Sequence, residues 1–299
     1  MNMKRFLKDD GLVRIGKCLG KSFSRRSLHR LAKVVAGIVN NLLPKSVLRR
    51  TFINNFDMVT KGQLNEKALN QLSKAAVRHL WRMHADYYYL FQHPEEGLSM
   101  FDFSPNVLEM IEDIKVRKIP TVICGPHLGN FDLFGISLAW QDVPMMVLSV
   151  PNPKGAYSAQ NEMRRETGLN VRPIDMQAVR DAKKFLLQGN GVVTGIDRPV
   201  ENRDTTRYKP LFFDKPAPLP VFYTRYGLEE GVMVRVGACL YKEDGRYHVV
   251  CSDPIPMQKH ENLKEEFEQN TEAVLKVAEE LISKNLAQWM MLHPVWDIE

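Results

Sequence analysis

The sequence predicts an α/β fold: a mainly parallel sheet flanked by helices, with an N-terminal helical region before it. Three observations predict this. From about Phe101 onward, short β-branched apolar runs alternate with stretches of helical spacing, the pattern of strands joined by helical crossovers. The first long run, IPTVIC, stops at Gly125-Pro126, a pair that punctuates rather than continues an element. Residues 1–95, in contrast, read as helical throughout. The domain expectation follows: residues 1–100 form a basic, amphipathic helical region in contact with a membrane surface, and residues 101–299 form the α/β core.

The elements can be taken in order. Residues 1–50 hold 13 Lys and Arg against Asp9 and Asp10, a net of +11, so the rest of this +6 chain carries −5. Leu28, Leu31, Val35, Ile38, Val39 and Leu42 recur at helical spacing within this arm and fall on one face, a single apolar stripe. Two readings fit: an interfacial helix on anionic lipid, or a core-packing helix with a solvated basic face. Its longest apolar stretch, residues 31–44, is about half to two-thirds of the roughly 20 residues a span needs. Lys33, Asn40 and Asn41 also interrupt it. The arm is therefore expected to lie on the membrane, and it has no small-residue cleavage site of a secretory signal.

A second amphipathic helix runs from Glu66 to about Phe91. Its Trp81 and Tyr87–Tyr89 read as core or lipid-facing aromatics, and His79, His84 and His93 lack partners at metal-ligand spacing. A helix near 106–116 precedes the strand ending at Cys124, a helix follows near 130–140, and a short strand lies around 145–150. Asp175 caps a helix over 177–187 that Gly189 ends, and Gly191–Ile196 is the next strand. Val232–Tyr241 and Tyr247–Cys251 form a hairpin around Glu243-Asp244-Gly245. Asn262–Leu286 is a long amphipathic helix with Leu263, Phe267, Val274, Leu281 and Ile282 near one stripe.

The chemistry concentrates in GPHLGNFDLFG, residues 125–135. A histidine beside a carboxylate is a common general base near neutral pH, because the imidazole titrates there and the acid fixes its tautomer. On one continuous helix, five residues would set His127 and Asp132 about 140° apart. A strand-to-helix turn removes that obstacle, with Gly129 supplying unusual backbone angles and Asn130 capping the helix. The bland alternative is a surface histidine near a capping Asp.

GPHLGNFDLFG resembles the H-x4-[DE] motif of the lysophospholipid acyltransferase superfamily, which includes the glycerolipid and lipid A acyltransferases. It is most similar to the bacterial lipid A late acyltransferases (lauroyl or myristoyl) and the acyltransferases of mycobacterial phosphatidylinositol mannosides. Lipid A members usually read H-W-G-N-W-E; Leu128, Phe131 and Asp132 depart from that, and the Asp agrees better with the mannoside and glycerolipid branches. Further blocks follow in the family's order. Asn161, Arg164 and Gly168 in NEMRRETG are similar to its second block, and GNGVVTGIDRP to its strand ending in Asp. YKPLFFDKPAPLPVFYTRYG is similar to P-F-F-G-x-x-A. QWMMLHPVW resembles Q-W-M-W-x-H-R-R-W, with Pro294 and Val295 in place of two arginines. The blocks span roughly residues 115–296.

The resemblance implies a glycerolipid acyltransferase-like fold and transfer of a fatty acyl chain from a thioester to a hydroxyl. The acceptor expected is a membrane glycolipid, lipid A-like or a mannoside, with a lysophospholipid as the alternative. A peripheral lipid-binding protein is the non-enzyme alternative. His127 is expected as the base and Asp132 as its orienter, with backbone N–H groups around Gly129 and Asn130 steadying the oxyanion. Asn130, Arg164, Arg165, Asp197 and Arg198 are expected to bind substrate: the guanidinium of Arg164 or Arg165 on a phosphate, Asp197 on an acceptor hydroxyl or on Arg164. Arg203, Arg207 and Lys209 follow in a basic loop. The donor is acyl carrier protein or coenzyme A as cosubstrate, with no other cofactor. The location expected is peripheral, on the cytoplasmic face of the inner membrane.

Other classes fit less well. The composition, 44% apolar and 25% charged, is that of a globular protein. Cys18, Cys124, Cys239 and Cys251 are scattered, which argues against a zinc site or disulfide framework and fits a reducing compartment. No H-E-x-x-H occurs, and Gly135-Ile136-Ser137-Leu138-Ala139 only approaches a serine hydrolase elbow within an apolar helix. No nucleic-acid motif accompanies the basic arm.

Overall fold

The computed structural model describes residues 11–200 and 208–296. Its strands are β1 (Phe101–Phe103), β2 (Thr121–Gly125), β3 (Met145–Ser149), β4 (Asn170–Pro173), β5 (Gly191–Gly195), β8 (Met233–Tyr241) and β9 (Tyr247–Cys251), with β6 (Leu211–Phe212) and β7 (Lys215–Pro216) in a separate ribbon. Among these residues one sheet runs β1-β9-β8-β2-β5-β3-β4. The strands from β8 to β4 are parallel; β9 folds back on β8 as the expected hairpin, and β1 lies parallel to β9. The α/β class with a mostly parallel sheet is therefore the observed one.

Connection order places the site. From β2 the chain crosses past β5 to reach β3; from β5 it crosses past β2 to reach β8. Neighbouring strands whose connections leave in opposite directions open a crevice at their carboxyl ends. That crevice lies beyond Gly125 of β2 and Gly195 of β5, which face each other in register.

Strand alternation divides the core. Val122, Cys124, Val192, Val234 and Val236 face one layer, while Ile123 and Met145 face the other. The helices are α1 (Gly11–Ser22), α2 (Arg25–Leu42), α3 (Val47–Val59), α4 (Glu66–Gln92), α5 (Pro105–Glu112), α6 (Phe131–Ala139), α7 (Ala156–Glu166), α8 (Met176–Leu186), α9 (Tyr223–Gly227) and α10 (Leu263–Lys284). Their starts are written in side chains: Ser24, Ser46, Asn65, Asp175 and Asn262 each accept a first-turn N–H. The N-terminal helices share the sheet's core. Phe52, Phe56, Val77 and Leu80 pack in the first layer, and Tyr87 and Leu90 in the second. Thus α4 passes from one layer to the other.

The arm corrects the single-stripe expectation. On α2 the buried face is Leu28, Ala32, Ala36 and Asn40. Leu31, Val34, Ile38 and Leu42 form a second, exposed apolar face beside exposed Arg26, Arg30 and Lys33. The core-packing reading holds for the first side of this helix, and the second side is exposed, apolar and flanked by basic residues. An ion cluster fastens it: buried Asp86 accepts from Arg25 Nε and pairs with His29 Nε2, both at 2.6 Å, and from the Tyr247 hydroxyl at 2.7 Å. Among the described residues no single helix is long and apolar enough to cross a membrane; α2 and α3 together reach that composition but are bent by 83°. On α10, Leu263 is exposed rather than on the buried stripe.

Candidate active site

His127 stands on the turn between β2 and α6, two residues past Gly125. Asp197 stands two residues past Gly195, the residue paired with Gly125. Parallel register therefore brings the two side by side. His127 Nδ1 lies 2.6 Å from Asp197 Oδ1, and the His127 backbone N–H donates to Asp197 Oδ2 at 2.9 Å. The indole of Trp289 donates to the same Oδ2 at 2.7 Å. Asp197 is fully buried, so three donors replace the water its carboxylate has lost. An Nδ1–H facing the carboxylate leaves Nε2 as the nitrogen able to take a proton.

The carboxylate expected for that role is elsewhere. Asp132 accepts from Arg164 Nε at 2.7 Å and lies 2.6 Å from its Nη2; Arg164 Nη1 donates to Asn161 Oδ1 at 2.7 Å. Asp132 sits in the first turn of α6, pointing to α7, and the pair is nearly sealed from solvent. Burial works against the Arg164 charge and Asp132 more than restores it, so the guanidinium titrates above its ordinary range. The H-x4-D spacing thus brackets two neighbouring ion pairs rather than one dyad.

The other expected site residues are also redistributed. Asn130 is buried and caps α6 by accepting from Leu133 N–H; its amide donates to Met83 O at 3.1 Å and to the Tyr247 hydroxyl at 3.5 Å. Arg165 bonds Glu162 and the carbonyl of Val171. Asp197 holds His127 and Trp289 rather than Arg164. Arg198 lines the cavity described next. Arg203 and Arg207 lie outside the described residues.

The expected oxyanion donors are already used. Leu128 N–H donates to Pro126 O, Gly129 N–H to Gln288 O and Asn130 N–H to Cys239 O, at 2.7–2.8 Å. The same stitching fixes the turn, since Met290 N–H also donates to His127 O at 2.7 Å. Gly129 has φ +65°, and a Cβ there would lie 2.0 Å from Cys239 O, so only glycine fits. Beneath it His79 accepts from Arg82 at 2.8 Å; burial, then the Arg82 charge, pushes its imidazole down to about 3 and keeps it neutral. A further group, His93 with Glu95 and Glu96, brings ligand atoms within 4.8 Å of one another after α4; these are largely exposed and far in sequence from the motif.

His127 opens onto a cavity of about 780 Å³. Gly125, Gly195 and Gly237 leave its sheet floor bare of side chains, and Phe134, Val147 and Leu169 supply apolar walls. At one side the Tyr157 ring lies between two guanidiniums, 5.6 Å from Arg164 and 5.5 Å from Arg198.

A histidine opening onto a largely apolar cavity at the switch point of an α/β sheet makes a site suited to a lipid-like substrate. The sequence profile of the bacterial lipid A biosynthesis acyltransferases matches residues 12–297, and the chain belongs to that family. It is therefore an acyltransferase of lipid A type, a class that joins a thioester donor to a lipid acceptor. A search of curated proteins gives no match.

Two functional residues were not assigned their roles by sequence. The signal for Asp197 was present: His127 and Asp197 lie equally far past two glycines that end neighbouring strands. Trp289 stood in the QWMMLHPVW block, but its approach to Asp197 depends on where the chain's last segment folds.

Proposed function

We propose that the chain transfers a fatty acyl group from acyl carrier protein or coenzyme A to a hydroxyl of a membrane glycolipid, with His127 as general base. The observation that carries this is the buried Asp197–His127 pair facing the apolar cavity. A sugar hydroxyl is a weak nucleophile, so Nε2 of His127 accepts its proton as the oxygen attacks the thioester carbonyl. The C–O bond forms, the carbonyl pair moves to oxygen, and collapse breaks the C–S bond. The imidazolium then returns its proton to the departing thiolate. Asp197 supports the imidazolium and fixes its orientation. No covalent enzyme intermediate is required.

The acyl chain lies along the glycine floor. A Cβ on Gly195 would come 3.3 Å from His127 Cε1, and one on Gly237 would come 2.6 Å from Phe134 Cζ. Glycine at these two positions therefore lets the His127 and Phe134 rings pack close against the sheet at the cavity. The exposed apolar face of α2, with Arg26, Arg30 and Lys33 beside it, suits a peripheral seat on anionic lipid at the cytoplasmic face of the inner membrane.

The test combines a lipid extract and one variant. Mass spectrometry of lipids from a deletion strain and its parent should show one acyl increment missing from a glycolipid. A loss confined to phospholipids would move the acceptor to a lysophospholipid. His127→Ala should stay folded and lose at least ~100-fold in transfer. Undiminished turnover in that variant removes His127 as the base, and absence of transfer by the parent protein itself would leave a lipid-binding protein.

A further inference from the structure

The reaction places negative charge on the thioester oxygen, and donors fixed at that point lower the barrier. The turn that carries the base does not supply them. The N–H groups of His127, Leu128, Gly129 and Asn130 are all given to protein acceptors, the first to Asp197 and the others to carbonyls. The donor has to come from a side chain in the cavity or from another element.

Several polar side chains of the cavity, His293 among them, already have protein partners. Arg164 spends Nε, Nη1 and Nη2 on Asp132 and Asn161. Ser149 donates to Asn161, and Thr194 to the carbonyl of Gly195. Arg198 differs: it lines the cavity, is partly exposed, and among the described residues its guanidinium has no hydrogen bond or ion pair, only the Tyr157 ring. It also directly follows Asp197, so its Cα lies about 3.8 Å from that of the residue holding the base. A guanidinium stays charged and presents a rigid fork of N–H donors to an oxygen anion.

We infer that Arg198 is a catalytic residue that donates to the thioester oxyanion. Asp197 and Arg198 then act as a pair of consecutive residues on one strand end, the first orienting the base and the second receiving the charge that the base's proton transfer creates. The inference rests on the acyl-transfer reading of the same cavity. It differs from the phosphate-anchoring role expected from sequence, because an anchor works equally in the bound substrate and the transition state.

Steady-state kinetics separate these roles. The assay reads free thiol released from palmitoyl thioesters, offered as the coenzyme A and the acyl carrier protein forms, with a lipid extract as acceptor. Arg198→Gln and Arg198→Ala should lower kcat by roughly 10²–10³-fold, as for loss of one oxyanion donor, with KM nearly unchanged. Circular dichroism melts of both variants should lie close to the parent, since among the described residues the guanidinium makes no hydrogen bond or ion pair and meets only the Tyr157 ring. Added guanidinium ion should partly restore kcat to Arg198→Ala. A rise in KM at constant kcat makes Arg198 an anchor and overturns the inference. So does unchanged turnover, which would assign the charge to the first turn of α6 or to another cavity side chain. His127→Ala run in parallel tells the two failures apart. If it is inactive while the Arg198 variants are not, only this inference fails; if it is fully active, the assignment of His127 as base fails first, and if the parent releases no thiol the acyl-transfer reading itself fails.

Discussion

Asp197 and Asp132 are both buried acids beside the cavity, each holding a cationic or proton-accepting partner, and they do different work. Asp197 follows the end of β5 and takes three hydrogen bonds, from the His127 ring, the His127 backbone and Trp289. Asp132 belongs to the first turn of α6 and takes the Arg164 guanidinium. One partner is an imidazole, a side chain that can relay a proton; the other is a guanidinium that stays charged. The first pair is therefore suited to moving protons. The second fixes α6 against α7 and compensates a charge that could not be buried alone. Five-residue spacing named one residue of each pair, His127 and Asp132, and joined them to each other.

The comparison can be broken most sharply at Asp197. Asp197→Asn keeps the shape but no longer fixes the Nδ1–H tautomer or supports an imidazolium. Transfer kcat should fall about 10²–10⁴-fold with KM little changed. Asp132→Asn should act on stability first. Denaturant unfolding should show a loss of about 3–5 kcal/mol, as for breaking a buried pair, while kcat of the folded fraction falls less than in Asp197→Asn. A joint Asp132→Asn, Arg164→Gln variant should recover part of that stability, because the stranded charge is gone. The smallest effect belongs to Trp289→Phe. It removes one charge-assisted bond of about 1.5–3 kcal/mol, and its kcat should lie between those of the parent and Asp197→Asn.

The layout of the core was legible because it depends on local pattern. The strands 121–125, 191–195 and 233–241, the hairpin at Gly245 and the caps at Asn130, Asp175 and Asn262 all follow from periodicity and turn chemistry. The base was legible too, as a histidine at a strand exit. Its acid was not, since proximity along the chain stood in for proximity across the sheet. Asp197 is 70 residues from His127, and only the β2–β5 pairing makes them neighbours. The occupied N–H groups of the turn were likewise hidden, because their acceptors come from β8 and the segment around Gln288. On α2, spacing showed that apolar residues shared helical faces, but not that two such faces existed. Residues 28, 32, 36 and 40 turn inward only because α4 lies against them.

The most direct test of the Asp197–His127 pairing is nitrogen-15 NMR of the His127 ring in the Asp197→Asn and Asp132→Asn variants, each checked for folding. The parent should show an Nδ1-bound proton far downfield, as for a ring N–H on a buried carboxylate. That signal should persist in Asp132→Asn and disappear in Asp197→Asn. Its loss in Asp132→Asn with survival in Asp197→Asn would contradict the account and restore the five-residue dyad.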